Sequence, residues 1–273
     1  MSWLAVRVSA GDARDAALAA LFELGSQGVQ ELGDDLITHF ADDVSAEVVI
    51  RTIRDAAPDA TVLTSRVEAV DWSEEWKKGV GAHDLGVLSI VPPWLARGRD
   101  LAHTVIIEPE MAFGTGEHQT TRGVVRLLPA LVRPGDRVAD LGAGSAVLAI
   151  AAAKLGASHV VAIEIDQDAI ANANENVERN GVAGTVTVLE GDAAVLLPLV
   201  APVRVVLANI ISSVLLALLP TIESALSPDG EAILSGILVE ERETMLSALA
   251  RAGWRLIAED IEGPWWTARV ARS

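Results

Sequence analysis

The sequence of 273 residues predicts an α/β protein with a Rossmann-like sheet of mostly parallel strands, preceded by a small α+β domain. Segments of strand length and helix length alternate from residue 137 onward, which is typical of a parallel sheet. A glycine turn joins the first of these strands to its helix. Residues 1–70 follow instead the order strand, helix, strand, strand, helix, strand, which is that of ferredoxin-like folds.

Composition and charge narrow the class of protein. Apolar residues make up 51% of the chain, which excludes a disordered protein and allows a sizeable core. The formal net charge of −17 argues against non-specific nucleic-acid binding; it fits either a basic partner or a generally acidic proteome. No apolar run reaches about 18 residues and no secretory signal is evident, so no membrane span is expected. The lack of cysteine excludes disulfides and thiolate metal sites and fits a reducing cytoplasm.

The predicted N-terminal domain, residues 1–70, has four strands and two helices. Strands are predicted at Trp3–Val8, at 28–32 and 36–40 as a hairpin, and at 61–70, and helices at 12–24 and 45–57. Acidic residues outnumber arginines in this domain. Because ferredoxin-like domains usually bind a partner rather than catalyse, we expect a recognition domain.

Residues 71–104 are predicted to be a linker with one preliminary strand. The segment DWSEEW carries Trp72 and Trp76 four residues apart, on one face of a helix. We interpret this pair as packing between domains, with contact to a substrate as the alternative. A short strand at 86–94 is broken by Pro92 and Pro93.

A polar, glycine-rich loop, EPEMAFGTGEHQTT, follows this linker. Gly114 and Gly116 come after Phe113 and let the backbone lie against a ligand. Thr121 lies at the start of the next helix, whose N-terminal amides point at the same crevice. His118 is a candidate base, but a lone histidine in a loop usually only forms hydrogen bonds. With no cysteine and no second histidine nearby, no metal site is expected.

The central stretch, residues 137–168, predicts a strand, a turn, a helix and a second strand. Gly142 and Gly144 form the turn, and Ser145 is the predicted N-cap of a helix that runs to Leu155. Glu164 stands at the carboxyl end of the second strand. Since ligands bind outside the carboxyl ends of parallel strands, the glycines and Glu164 should converge on one crevice.

Two classes of cofactor use such a unit. A dinucleotide fingerprint, G-x-G-x-x-G, requires a third glycine where this chain has Val147. Asp140 instead completes D-x-G-x-G, the turn of S-adenosylmethionine methyltransferases, which this stretch resembles. The ribose hydroxyls of that cofactor suit a carboxylate such as Glu164. The alternative is a plain βαβ unit with a tight turn.

Two polar residues follow the next strands of the sheet. Asp192 follows the strand at 186–189. It is interpreted either as a residue that holds the adenine amino group or as an ordinary loop aspartate. Asn209 lies directly beyond the strand at 203–208. A turn at 227–230 and strands at 231–235, 254–259 and 266–270 complete the chain, the last two as an antiparallel hairpin at the sheet edge.

A series of motifs occurs in order at compatible spacing: EPEMAFGTGEHQTT, DLGAGSAVLAIAAAKLGA, AIEID, ERNGV, LEGD, ANI and LSGIL. In these motifs the chain resembles the bacterial methyltransferases of large-subunit ribosomal protein L11. The resemblance covers residues 105–270, and the N-terminal domain and DWSEEW fit as well. It implies a seven-stranded class I methyltransferase sheet in residues 105–273, with S-adenosylmethionine as cofactor and S-adenosylhomocysteine as product.

The resemblance also implies a partner. Ribosomal protein L11 would be methylated on its α-amine and its lysine side chains. The N-terminal domain would capture it, and a flexible linker would let the catalytic domain reach several amines. The protein is expected to be a cytoplasmic monomer without direct nucleic-acid or membrane binding.

Site residues follow from the same resemblance. The cofactor-binding positions of the family are matched by Thr121, Gly142, Glu164 and Asn209. Further candidates for cofactor binding are Phe113, Asp140, Gly144 and Asp192. The candidate catalytic residue is Asn209. Phe113 and His118 belong to the loop that covers the site. Three positions depart from the family pattern. Ala146 replaces a common glycine, and its methyl group should be tolerated in the first turn of the helix; Glu164 replaces a common aspartate; and IISSVL, at 210–215, lacks a nearby proline.

The implied mechanism is direct displacement, in which a neutral amine attacks the methyl carbon in line with the departing sulfur. Lysine must first lose a proton, since its reference pKa is about 10.4. Rival hypotheses are a methyltransferase for another protein or small-molecule amine, a nicotinamide dehydrogenase, and a non-catalytic adaptor. Val147 disfavours the dehydrogenase, and an acceptor pocket spoiled by IISSVL would favour the adaptor.

Overall fold

The computed structural model describes residues 2–26, 28–41, 43–68, 76–109 and 113–273. The chain divides into two compact units, Met1–Gly79 and Val80–Ser273. The predicted tryptophan face cannot be placed on this fold, because Trp72 and the side chain of Trp76 lie outside the described residues.

The first unit has the predicted ferredoxin-like order. Its elements are β1 Ser2–Ser9, α1 Arg14–Glu23, β2 Gln30–Leu32, β3 Asp35–Ala41, α2 Ala46–Ala56 and β4 Thr61–Glu68. The strands form an antiparallel sheet in the order β2-β3-β1-β4. Leu4, Val6 and Val8 alternate with exposed or half-buried residues along β1 and enter a core that the two helices share.

The second unit begins well before residue 105. Residues 80–104, assigned to the linker from sequence, contribute to a small sheet of β5 His83–Asp84, β6 Ser89–Val91 and β7 Thr104–Ile106. Leu88, Ile90 and Val105 are buried in the core of this unit. These apolar side chains explain why the segment packs as part of the domain.

A seven-stranded sheet organises the rest of the second unit. Its strands are β8 Arg137–Leu141, β9 His159–Glu164, β10 Val186–Glu190, β11 Val203–Asn209, β12 Leu226–Leu238, β13 Trp254–Glu262 and β14 Trp265–Arg272. The order is β10-β9-β8-β11-β12-β14-β13, and only β14 runs antiparallel to its neighbours. The predicted parallel sheet with an antiparallel edge is therefore confirmed. The strand order reverses between β8 and β11, which is where ligands bind in such sheets.

Helices cover both faces of this sheet and bury two apolar cores. They are α3 Gln119–Leu127, α4 Val147–Lys154, α5 Gln167–Arg179, α6 Ala193–Val200, α7 Ser212–Ala225 and α8 Arg242–Arg251. The sequence did not predict α6, a short apolar helix that contains Pro198. The predicted turn at 227–230 lies instead within β12, where the pairing with β11 shifts register. Among the described residues, every helix is too short or too polar to cross a bilayer.

Candidate active site

The glycine turn after β8 is packed too tightly for any larger residue. Gly142 and Gly144 have φ values of +68° and +51°. A Cβ on Gly144 would lie 2.4 Å from the carbonyl oxygen of Phe113, and one on Gly142 would lie 2.5 Å from Cγ2 of Ile210. The turn is therefore held between the 113–118 loop and the segment that follows β11.

Glu164 supports this turn through its carboxylate. Oε2 accepts a hydrogen bond from the Gly144 amide at 2.7 Å. Oε1 accepts from the amides of Ile165 and Asp166 at 2.8 and 2.9 Å. The side chain is buried, and these bonds leave acceptor capacity on Oε2 for one further donor.

Asp140 makes the contact with the first turn of α4 that the sequence predicted for Ser145. Its Oδ2 accepts from the Ala149 amide at 3.0 Å, in the first turn of α4. Ser145, the predicted N-cap, instead donates its hydroxyl to the Gly114 carbonyl at 2.8 Å. The prediction for Ser145 is wrong because this tertiary partner draws its side chain to the 113–118 loop.

The Asp140 carboxyl group is completely buried, and its Oδ1 has no hydrogen-bond partner among the described residues. Burial, assisted by the negative charge of Glu164, raises the pKa of Asp140 to about 7. A carboxylate in this position favours a nearby positive charge, since pairing would offset its desolvation.

Ala146 precedes α4 rather than lying in its first turn. Its φ of +64° and ψ of +20° are left-handed. Such a conformation costs an alanine about 1–2 kcal/mol. The methyl group is fully buried in the core, so the structure accommodates its volume while its backbone remains strained.

A cavity of about 340 Å³ opens beside the glycine turn. Gly142 and Asp192 line it, together with Ile163, Ile165, Gly191, Ala193, Ile210, Val214 and Leu218. Asp192 Oδ1 accepts from the Ala194 amide at 2.8 Å and caps α6, and Oδ2 is left for other donors. The apolar lining of the cavity was not predicted from the sequence. Two aliphatic residues that directly follow strands, Ile165 after β9 and Ile210 after β11, could have indicated it.

Asn209 and Thr121 meet at the same edge of the sheet. The Asn209 side-chain amide donates to the Thr121 hydroxyl across 3.4 Å. Thr121 is completely buried in the first turn of α3. This contact turns the Asn209 carbonyl oxygen away from Thr121, and no hydrogen bond within the described residues occupies it. Asn209 is half-buried and adjoins Ile210, which lines the cavity.

The 113–118 loop joins these parts. The Phe113 carbonyl accepts from the Ser145 amide at 2.9 Å, while the residue as a whole is exposed. His118 Nδ1 accepts from the Thr120 amide at 3.4 Å and caps α3. Burial, and then the charge of Arg122, lowers the pKa of His118. Its observed part is that of a hydrogen-bonding residue.

The structure brings the predicted residues together in three groups. Gly142 and Asp192 line the cavity, whereas Asp140, Gly144 and Glu164 form the hydrogen-bonded support of the turn, with the Phe113 carbonyl packed against it. Asn209 and Thr121 form a polar pair at the neighbouring strand end.

A seven-stranded sheet with this order, carrying its glycine turn and cavity at the strand-order reversal, defines a class I S-adenosylmethionine-dependent methyltransferase. The family model described as ribosomal protein L11 methyltransferase (PrmA) matches residues 8–273. The chain belongs to this family.

Curated relatives and a solved structure support the assignment. The ribosomal protein L11 methyltransferase of Pelotomaculum thermopropionicum is 42% identical over 210 residues, 76% of this chain and 68% of that protein. That of Thermus thermophilus is 35% identical over 257 residues, 93% of each chain. A crystal structure of ribosomal protein L11 methylase from Lactobacillus delbrueckii subsp. bulgaricus has a TM-score of 0.62 and 32% identity, covering 70% of this chain and 98% of that one.

Proposed function

We propose that this protein transfers methyl groups from S-adenosylmethionine to amines of ribosomal protein L11, its α-amine and its lysine side chains. The observation that carries this proposal is the position of Asn209, which ends β11 beside the cavity and is oriented by Thr121. The relatives matched over most of the chain are named ribosomal protein L11 methyltransferases.

The residues present fit S-adenosylmethionine. The cavity offers aliphatic walls to an adenine ring, and Asp192 Oδ2 can accept from its amino group. The free acceptor position on Glu164 suits a ribose hydroxyl. The ammonium and sulfonium of this cofactor would favour the ionised form of Asp140, whose Oδ1 has no other partner among the described residues. Gly142 and Gly144 let the backbone approach closely, and the Phe113 carbonyl supports their turn.

When bound, the cofactor supplies an electrophilic methyl group on a positively charged sulfur. The chain has to hold a neutral amine in line with that methyl group, and no covalent enzyme intermediate is required. Asn209 Oδ1 accepts a hydrogen from the amine and so directs its lone pair. Exclusion of water around the amine favours its neutral form. Alignment of this kind contributes several kcal/mol to the lowering of the barrier.

The first unit is the part that we assign to capture of the protein substrate. Its acidic residues outnumber its arginines, and complementary charge favours association with a basic protein. We place the activity in the cytoplasm and assign the protein as a monomer that binds neither nucleic acid nor membranes directly.

The test is incubation of the full chain with purified L11 and isotopically labelled S-adenosylmethionine, followed by mass mapping of peptides. Label on the α-amine or on lysine side chains is the expected result. Label only on a small-molecule amine or on a different protein in a cell extract would transfer the proposal to that acceptor. Absence of label from all acceptors would identify a non-catalytic protein.

A further inference from the structure

Three aromatic rings form a row at the start of α3, the helix that carries Thr121. The Phe113 and His118 ring centroids lie 5.2 Å apart with an interplanar angle of 60°. The His118 and Trp265 centroids lie 4.9 Å apart at 64°. Both contacts are edge-to-face, which is the favoured geometry for such rings. We refer to Phe113, His118 and Trp265 as the aromatic row.

The row lies at the carboxyl edge of the sheet, where methyl transfer is proposed. Asn209 pairs with Ser235 on β12, and Trp265 pairs with Leu238, three residues further toward the carboxyl end of that strand. The Ser235 hydroxyl donates to the Thr120 carbonyl at 3.2 Å, which joins β12 to the first turn of α3. His118 caps this same helix.

The row presents aromatic surface without a positive charge of its own. Phe113 is one of the exposed large hydrophobic residues of the chain, with 53% of its surface accessible. Burial, and then the charge of Arg122, lowers the pKa of His118, which favours the neutral form of its ring. Arg122, whose charge acts on His118, is paired with Glu262, with 3.0 Å between Nε and Oε1.

We infer that the aromatic row binds the acceptor amine in its charged and methylated forms, and thereby determines how many methyl groups one amine receives. The inference rests on the proposed function and assigns to Phe113 and Trp265 a part in acceptor specificity. Ammonium and methylammonium groups are attracted to the faces of tryptophan and phenylalanine rings.

The chemistry explains why such a surface is useful to a methyltransferase. In each transfer the sulfur–methyl bond breaks, a nitrogen–methyl bond forms, the sulfonium becomes a neutral thioether and the amine releases one proton to water. The acceptor therefore loses one N–H donor per methyl group and has less to offer Asn209 Oδ1. Its ability to contact aromatic faces grows with each methyl group, so the aromatic row compensates for the lost hydrogen bond.

The first experiment follows the methyl states of L11 over time by intact-protein mass spectrometry, at saturating S-adenosylmethionine. Trp265→Leu and Phe113→Leu remove the aromatic faces and keep apolar bulk, and Trp265→Phe is the conservative control. We expect the rate of the later methyl additions, relative to the rate of the first, to fall about tenfold in both leucine variants, the scale of a desolvated cation–π contact. Trp265→Phe should restore the later steps. Equal slowing of every step in both leucine variants would overturn the inference.

The second experiment measures binding and does not depend on L11. Nα-acetyl-trimethyl-lysine amide and its neutral carbon isostere are titrated against the full chain saturated with S-adenosylhomocysteine, with ligand-observed NMR as the readout. We expect about tenfold preference for the cation, lost in Trp265→Leu and in Phe113→Leu. Equal affinities of the wild type for the two ligands would refute the aromatic row. If the wild type prefers the cation but does not methylate L11, the aromatic row binds methylated amines and L11 is not the acceptor.

Discussion

At the scale of single residues, the two buried carboxylates of the site each have a structural contact as well as a proposed one with the cofactor. Glu164 accepts from three backbone amides around the glycine turn. Asp140 binds the first turn of α4 and leaves one oxygen without a partner. For a substitution at either position, both the stability of the protein and its affinity for the cofactor therefore have to be measured.

Replacement of Glu164 by glutamine tests its contact with the cofactor. The variant keeps the size of the side chain but loses one acceptor oxygen and the negative charge. We expect S-adenosylhomocysteine affinity to fall by about 1.5–3 kcal/mol, the scale of a hydrogen bond to a charged group. Isothermal titration calorimetry gives the affinity, and urea unfolding without cofactor gives the stability. Glu178→Gln, at an exposed position on α5, is the control. A loss of stability with unchanged affinity would restrict Glu164 to supporting the turn.

Replacement of Asp140 by asparagine tests the raised pKa of this residue. The folded protein holds the Asp140 proton up to about pH 7, whereas an unfolded chain releases it near pH 3.9. Stability from this group is therefore complete below about pH 4 and is lost as the pH rises through 7. We expect the free energy of unfolding of the variant, relative to wild type, to increase by about 2–3 kcal/mol from pH 5 to pH 8. Parallel stability profiles in urea would show that Asp140 does not titrate in this range.

At the scale of elements, helix α3 organises the site because arginines fasten it to strand β13. Arg122 donates to Glu262 and to the carbonyls of Gly116 and Glu117 in the 113–118 loop. Arg126 binds Asp260, with 2.8 Å between Nε and Oδ1. The helix, the loop and the sheet edge are thus connected by partly buried ion pairs.

Replacement of Arg122 by glutamine should loosen the 113–118 loop. Its side chain is only 14% exposed, so the loss leaves Glu262 partly buried with one cation fewer. We expect destabilisation by about 1–3 kcal/mol and weaker cofactor binding, measured by urea unfolding and calorimetry. Arg133→Gln, which breaks a largely exposed pair with Asp229, should change stability by less than about 1 kcal/mol. Equal effects of the two substitutions would contradict a specific part for Arg122.

Predictions from the sequence succeeded where a structure depends on residues close together in the chain, and failed where it depends on contacts between distant residues. The strands and helices around Gly142 and Glu164 were predictable, since their apolar periods and glycines act within a few residues. Ser145 was assigned wrongly because its partner, Gly114, lies 31 residues away. Helix α6 was missed because Pro198 in an apolar run argues against a helix. The aromatic row was not predicted because Trp265 reaches His118 from a segment 147 residues away.

At the scale of the whole molecule, the chain divides into two compact units, each with its own hydrophobic core. The second unit carries the glycine turn, the cavity and the Asn209–Thr121 pair. The first unit has its own sheet and core and contains none of the cofactor residues proposed above. Recognition of a protein substrate is the part that we assign to it.

Expression of residues 80–273 alone tests this division of labour. The boundary follows the compact unit and keeps the small sheet of β5, β6 and β7 intact. We expect cofactor affinity within about twofold of the full chain and, at L11 concentrations below KM, at least about tenfold slower methylation, since binding energy from the first unit is lost. Calorimetry and initial rates provide the two quantities. Undiminished methylation of dilute L11 by the short form would assign recognition to the second unit instead.

The most direct test of the central claim is single-turnover methyl transfer to L11 at saturating S-adenosylmethionine, with wild type and Asn209→Ala compared side by side. Asn209 is proposed to orient the amine in the transition state, so its loss should slow the transfer step more than it weakens cofactor binding. We expect transfer by the wild type and a rate lower by about a hundredfold in the variant, a plausible effect of losing one positioning contact. Equal rates would remove Asn209 from the chemistry, and no transfer by the wild type would contradict the assignment of L11 as substrate.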